Sequence, residues 1–330
     1  MTNKRCFRGV GGRLRAVALV VVLALALAGG AAWAGDELAS WQGPARQVLL
    51  DYITAVTTPG GPDFIPPVER KAAFDVDGTL IAEKPVFLPL ELSFQRLGQV
   101  CPKGGPAPEG MTDLCAAHAR GDRLALERQY IAQALTKPFV GMSFDDYQAM
   151  ARRLMDQGVN PANGKPYRRL IYPPMLELIE LLHEKGFVVY LCSGSPNFFL
   201  RAISADYLGV DPDRCIGTTY QAVVHERGGR IAFSRGAKVE SLNLELQKAV
   251  NLLQRLGGPP VLAFGNSDGD SQMLRYALSG RRRGLALLLV HDDPREFAYG
   301  HDGLVEALSA EGVVAVSMRQ SFRQVETTDR

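Results

Sequence analysis

Four polar clusters in this chain fall where a buried strand ends or a helix begins. Asp75 and Asp77 flank Val76 in the run Phe74-Asp75-Val76-Asp77-Gly78-Thr79-Leu80. Two carboxylates about 5 Å apart at an effective dielectric of about 20 repel by roughly 3 kcal/mol. The pair therefore calls for a cation, and a bound phosphate dianion would deepen the need. Cys192-Ser193-Gly194-Ser195-Pro196-Asn197 ends a strand in a hydroxyl and a glycine before a helix that starts near Pro196, and the free N–H groups of such a start hold anions. Lys238, in Gly236-Ala237-Lys238-Val239-Glu240, is expected at the start of a helix after a hairpin-like stretch. Gly265-Asn266-Ser267-Asp268-Gly269-Asp270 follows another apolar run. Carboxylate, hydroxyl, lysine and carboxylate, in that order, form an inventory for phosphate and magnesium.

The surrounding pattern must bring these clusters together. Short apolar runs at 72–76, 187–192, 215–219, 261–265 and 285–290 alternate with helical segments, which predicts an α/β fold with a parallel sheet covered on both faces. A doubly wound sheet binds ligands beyond the carboxyl ends of its strands, where the strand order reverses. Before the first strand, Val48, Leu49, Tyr52, Ile53 and Val56 recur at helical spacing over 44–57. Between 82 and 172 the strand signal disappears, and the segment reads as an inserted helical domain, with Ser143 to Asp146 as a capping box at one helix start. Beyond Met318 the sequence is polar and is expected to fray.

These motifs, in this order, resemble the haloacid dehalogenase superfamily, and specifically its phosphoserine-phosphatase-like branch. The resemblance covers about 68–80 and 173–295, with the helical insert in the place of that family's first cap. It implies a doubly wound parallel sheet of strand order 3-2-1-4-5. It also implies that Asp75 attacks phosphorus to form an aspartyl-phosphate, while Asp77 protonates the leaving alcohol and later deprotonates water. Thr79, Ser193, the Gly194 amide and Lys238 are then the phosphate-binding groups. Magnesium falls to Asp75, the carbonyl at Asp77, Asp270, and either Asn266 or Asp268, because Asn266 stands where the family usually carries aspartate. Glu83, just past the nucleophile loop, reads either as a contact for a cationic substrate group or as a surface acid. His291 lies near the site edge, and Asp292-Asp293-Pro294 fits a helix start.

The 330 residues are 46% hydrophobic and 22% charged, enough for one large core with a satellite. Residues 1–34 have a basic start, an apolar run over 16–28 and Ala32-Trp33-Ala34 as a cleavage site, so they read as a signal peptide, exported by either the general or the twin-arginine route. The mature protein is then periplasmic or secreted, with no lasting membrane anchor, and its core comprises 35–81 and 173–330. Losing the five basic residues of the leader moves the formal charge from +2 to −3, which gives no electrostatic reason for a nucleic-acid partner. Four cysteines remain. Cys101 and Cys115 are the expected pair. Cys192 and Cys215 are expected apart, on the argument that neighbouring parallel strands would separate them by about four residues, at about 3.3 Å each. The chain thus reads as an exported, magnesium-dependent hydrolase of small phosphomonoesters. Its alternatives are a phosphotransferase to an acceptor alcohol and a binding protein with a decayed site.

Overall fold

The computed structural model describes residues 37–85, 87–161, 163–300 and 303–327, so the leader reading lies outside the described residues. Its frame is a seven-stranded sheet. β1 (Lys71–Phe74) is central, flanked by β2 (Val188–Pro196) and β5 (Leu262–Gly265). β3 (Cys215–Arg227) and β4 (Arg230–Ser241) continue one side, and β6 (Leu285–Val290) and β7 (Val314–Ser317) the other. The pairing is parallel except between β3 and β4. Ala72, Ala73 and Phe74 are fully buried, as a strand covered on both faces requires.

The expected five-strand order is present within this sheet, because β3-β2-β1-β5-β6 is its parallel core. The sheet is wider by β7 at one edge and by the antiparallel β4 at the other. Chain direction turns outward on both sides of β1, so the crevice of a doubly wound sheet opens beyond Phe74.

Helices cover the sheet. α1 (Gly43–Thr57) buries Leu49, Tyr52, Ile53 and Val56, and the Tyr52 hydroxyl donates to the Val261 carbonyl at the start of β5 (2.5 Å). Between β1 and β2 lie α2 (Leu88–Val100), α3 (Thr112–Ala119), α4 (Arg123–Arg128), α5 (Ile131–Ala134), α6 (Phe144–Gln157) and α7 (Pro173–Glu184). α2 to α5 share a small core that includes Leu90, Leu97, Leu114 and Leu126. Ser143 caps α6 by accepting from the Asp146 N–H (3.0 Å). α8 (Asn197–Leu208) follows β2 and meets α6 through Phe198 and Phe144 (ring centroids 4.2 Å apart). α9 (Leu246–Leu256), α10 (Ser271–Leu278), α11 (Leu304–Ala310) and α12 (Met318–Ser321) complete the chain.

Three expectations are corrected. Lys238 lies within β4 and not at a helix start, since β3 and β4 form a hairpin far longer than the expected strand 215–219. The segment after Met318 is ordered through residue 327, because Phe322 is buried edge-on against Trp41 at 4.9 Å. Asp293 opens no helix; its carboxylate binds the Arg295 guanidinium (2.5 Å).

The cysteines pair as expected, for a partly different reason. Cys101 and Cys115 are bonded, with Cα atoms 5.5 Å apart, joining the end of α2 to α3. Cys192 and Cys215 are free and buried. They are not four residues apart along the strands: Leu191 stands opposite Cys215 and Cys192 opposite Ile216. The one-residue offset sends their side chains to opposite faces of the sheet, and that separates them. A bridge closing a 14-residue separation stabilises by about 3 kcal/mol in the chain-entropy picture. Replacing both Cys101 and Cys115 with serine is expected to cost about that much in urea unfolding, with no effect of reductant on the variant.

Candidate active site

The Asp75–Leu80 loop begins where β1 stops. The Val76 carbonyl accepts from the N–H groups of Thr79, Leu80 and Ile81 (3.2, 2.8 and 3.0 Å), which folds the chain back at once. Gly78 makes the turn at φ +82°, and a Cβ there would fall 2.0 Å from the Asn266 amide and 2.9 Å from the Glu83 carboxylate. Only glycine fits this crossing of two motifs and Glu83. Below it His291 places both ring nitrogens against acceptors, Nε2 at 2.7 Å from the Gly78 carbonyl and Nδ1 at 2.6 Å from Glu296.

Asp75 is buried, and its Oδ1 accepts from Lys248 Nζ at 2.6 Å. The same ammonium donates to Asp270 Oδ1 at 2.6 Å. Burial pulls the Lys248 ammonium down, but the Asp270 and Asp75 carboxylates together raise it above the ordinary lysine value, so it stays charged. Burial and then the Asp270 charge push Asp75 up, and Lys248 opposes them. Asp77 is partly exposed to the crevice, and its Oδ2 accepts from the hydroxyls of Ser193 (2.8 Å) and Ser195 (2.6 Å). Burial pushes the Asp77 carboxyl up to about 6, against the lowering effect of those two hydroxyls. Two carboxyls two residues apart are thereby differentiated, one ion-paired and one poised to exchange a proton near neutrality.

Lys238 does not join them. It is exposed on β4 and sits 3.6 Å from Glu240, while Lys248 holds the place expected of it. The missed signal is positional: Lys248, Leu252 and Leu256 lie on one buried stripe of α9, and a lysine on an apolar stripe needs buried anions.

The fourth motif is also rearranged relative to expectation. Asp268 is exposed and outside the cluster. Asp270 is fully buried, but its oxygens are committed: Oδ1 to Lys248, Oδ2 to the N–H groups of Asn266 and Ser267 (both 3.0 Å) and to the Ser267 hydroxyl (3.1 Å). It braces the loop and the lysine instead of facing a metal. Thr79 is buried and donates to Asn266 Oδ1 (3.0 Å), so it is not a phosphate-facing group.

Asn266 carries the most information about a metal. One end of its amide lies 3.3 Å from Asp75 Oδ2, 3.1 Å from the Asp77 carbonyl and 3.0 Å from Thr79 Oγ1. As NH2, that end would donate to all three; as oxygen, it completes a set of three oxygens suited to a hard cation. The far end of the amide decides between them. Glu83 Oε1 lies 3.3 Å from it, and a carboxylate accepts from NH2 but repels an amide oxygen. The Tyr299 hydroxyl, also 3.3 Å away, gives its proton to Glu83 (2.6 Å) and so accepts from the amide. Glu83 and Tyr299 thus turn the Asn266 oxygen toward Asp75 and Asp77. The donor set fits magnesium, with one carboxylate, one carbonyl and one amide oxygen. Among the described residues no group of three or more His, Cys, Asp or Glu side chains could hold a metal, so a metal at this site would rely on the Asp77 carbonyl and the Asn266 amide beside Asp75.

This arrangement changes what an aspartate at 266 would do. A carboxylate there would face Glu83 at about 3.3 Å, a like-charge contact that opposes its attraction for the metal. Asn266→Asp alone is therefore expected to change magnesium affinity little, and Asn266→Asp with Glu83→Gln to tighten it by about tenfold or more. Titration calorimetry with magnesium checks both. Tighter binding by the single variant would remove the orienting role given to Glu83.

Beyond these groups opens a cavity of about 360 Å³, lined at its base by Asp75, Asp77, Ser193, Gly194 and Lys248. A larger cleft, about 840 Å³, lies at the amino end of the sheet beside Lys71 and Val261, away from this chemistry. The smaller one is the site, because it alone contains the carboxylate pair at the strand ends.

Residues 72–275 match the family model described as haloacid dehalogenase-like hydrolase. No curated protein matches the chain. A conserved protein of unknown function from Anaerococcus prevotii DSM 20548 superposes with a TM-score of 0.55 at 13% identity, over 88% of this chain and 97% of that one. A protein of unknown function from Bordetella pertussis Tohama I gives 0.50 at 16% identity, over 75% and 98%. A probable phosphoserine phosphatase from Vibrio cholerae gives 0.40 at 15% identity, over 78% and 64%. With a model that spans more than half its length and a sheet, an Asp75–Leu80 loop and a buried lysine in one crevice, the chain belongs to the haloacid dehalogenase-like hydrolase family.

Proposed function

We propose that the protein hydrolyses phosphomonoesters by transfer of the phosphoryl group to Asp75. The observation that carries this reading is the division of labour between two carboxyls: Asp75 paired to Lys248, and Asp77 held by two serine hydroxyls at the edge of the crevice. In the first step a carboxylate oxygen of Asp75 bonds to phosphorus as the bond to the ester oxygen breaks, and Asp77 gives its proton to the departing alcohol. In the second, Asp77 takes a proton from the water that attacks the aspartyl-phosphate, releasing phosphate and restoring Asp75. Ser193, the Gly194 amide and the Lys248 charge stabilise the transferring oxygens. Asp75, the Asp77 carbonyl and Asn266 would hold magnesium, which supplies positive charge to offset the phosphate and carboxylates together.

The residues 82–172 serve as a cap whose α5 faces the cavity. Export to the periplasm or the medium is supported by the leader-like first 34 residues and by the Cys101–Cys115 bond, which suits an oxidising compartment.

Release of inorganic phosphate from phenyl phosphate, dependent on magnesium, tests the reading; no release from any phosphomonoester contradicts it. The pH dependence carries the sign of the Asp77 shift. Protonated Asp77 is needed to expel a poor leaving group, so kcat/KM for an alkyl phosphate is expected to fall as pH rises through about 6. An aryl phosphate with a strongly acidic leaving phenol needs no proton and should lack that limb.

A further inference from the structure

Resting on the phosphatase reading, we infer that the ester group accepted here is neutral and apolar: the substrates are alkyl or aryl monophosphates, not phosphorylated amino acids, sugars or aminoalcohols. The cavity changes character sharply above its base. Its upper walls come from three separate segments, with Phe87 ahead of α2, Ile131 and Leu135 at α5, Val239 on β4, and Leu242 and Leu244 in the turn before α9.

Four of these side chains are large, apolar and yet open to solvent: Ile131 is 39% exposed, Val239 38%, Leu242 53% and Leu244 44%. Scattered exposed aliphatics need no explanation, but several converging on one concave site mark a surface that a ligand covers. The apolar wall begins at the phosphate cradle itself, since a Cβ on Gly194 would meet Leu244 Cδ2 at 2.4 Å.

Three wall hydroxyls have already given their protons to protein acceptors. Thr136 donates to the Ala132 carbonyl (2.7 Å), Thr218 to the Gly194 carbonyl (2.7 Å) and Ser267 to Asp270 (3.1 Å). A sugar or amino-acid ester group would lose water there and gain few donors in return. Charge excludes the rest. Lys248 is the one cation among the described lining residues, and Asp75 and Asp270 hold it, so a second anion on the substrate would find no counter-charge. Glu83, a candidate for contact with a cationic group, has Oε1 engaged by Tyr299 and Asn266, so an ammonium would compete with those bonds or rely on Oε2 alone. At about 360 Å³, the space is at the small end for ligand sites, which suits a benzyl or hexyl group more than a long chain.

The test uses the full-length mature protein with magnesium and a substrate series: ethyl, butyl, hexyl and benzyl phosphate against phosphoserine, phosphoethanolamine and a sugar monophosphate. We expect kcat/KM to rise by up to about fourfold per added methylene, with hexyl or benzyl phosphate about 100-fold better than phosphoserine. A flat alkyl series, or a polar ester that equals hexyl phosphate, overturns the apolar-site inference while leaving the phosphatase reading intact. No release from any ester overturns both. Ile131→Lys, at an exposed position with little bearing on folding, supplies a second arm. It should raise the preference for carboxybenzyl over benzyl phosphate by about tenfold, and an unchanged ratio would mean that the ester group does not lie against that wall.

Discussion

Lys248→Met is expected to lower kcat/KM by about 10³-fold, and Lys238→Ala to leave it unchanged. The contrast follows from position: Lys248 is 3% exposed between Asp75 and Asp270, while Lys238 is a surface residue beside Glu240. Removing a charge that faces a developing phosphoryl anion in a dry site typically costs 10² to 10³ in rate. The lysine also neutralises Asp75, so its loss affects ground and transition states alike. Stability should respond with a definite sign. Without the ammonium, Asp75 loses the charge that opposes its upward shift, and an acid raised by burial favours folding at low pH and opposes it as pH rises through it. Thermal unfolding of Lys248→Met should therefore show a larger deficit at pH 8 than at pH 5. If Lys238→Ala were the damaging change, the assignment of the buried lysine would be wrong.

Asp75→Asn is expected to abolish turnover, by on the order of 10⁴-fold or more, since an amide offers no nucleophile to phosphorus. Asp77→Asn should lose about 10² to 10⁴-fold with alkyl phosphates, the usual worth of a positioned acid or base. Its deficit should shrink in the first step when the leaving group is an acidic phenol. The second step still needs a base, so this variant is expected to show a burst of phenol release followed by slow turnover. Rapid-quench measurement of both products separates the steps. Equal loss of burst and steady state with the phenol ester would assign Asp77 a structural role instead.

What could be read from the sequence follows the range over which each signal acts. Asp75, Asp77 and Ser193 were legible because each sits at the end of an apolar run in the parallel sheet, and a strand end fixes where a side chain points. Cys101 and Cys115 were legible as partners within one helical insert. Lys248 was not, because Gly236 to Glu240 imitates a motif that the chain places ten residues later, after a hairpin whose exposed strands lack a clear apolar alternation. His291 was legible only as a residue near the site edge, and Tyr299 was not legible at all. They meet Glu83 and Gly78 only after more than 200 residues of intervening chain, and their role is set by donor and acceptor geometry. The same applies to Asn266. Its amide looks like a weakened ligand in sequence, and the nearby Glu83 carboxylate places the missing negative charge one contact further from where a metal would sit.

The central claim is that phosphate passes through a bond to Asp75, and the most direct measurement traps that bond. Asp77→Asn protein is mixed with 4-nitrophenyl phosphate and magnesium, quenched in acid during the burst and reduced with borohydride, which converts an aspartyl-phosphate into homoserine. Peptide mass spectrometry should then find homoserine at position 75 and aspartate retained at positions 268 and 270. Phenol released in a burst with position 75 still aspartate would contradict the account.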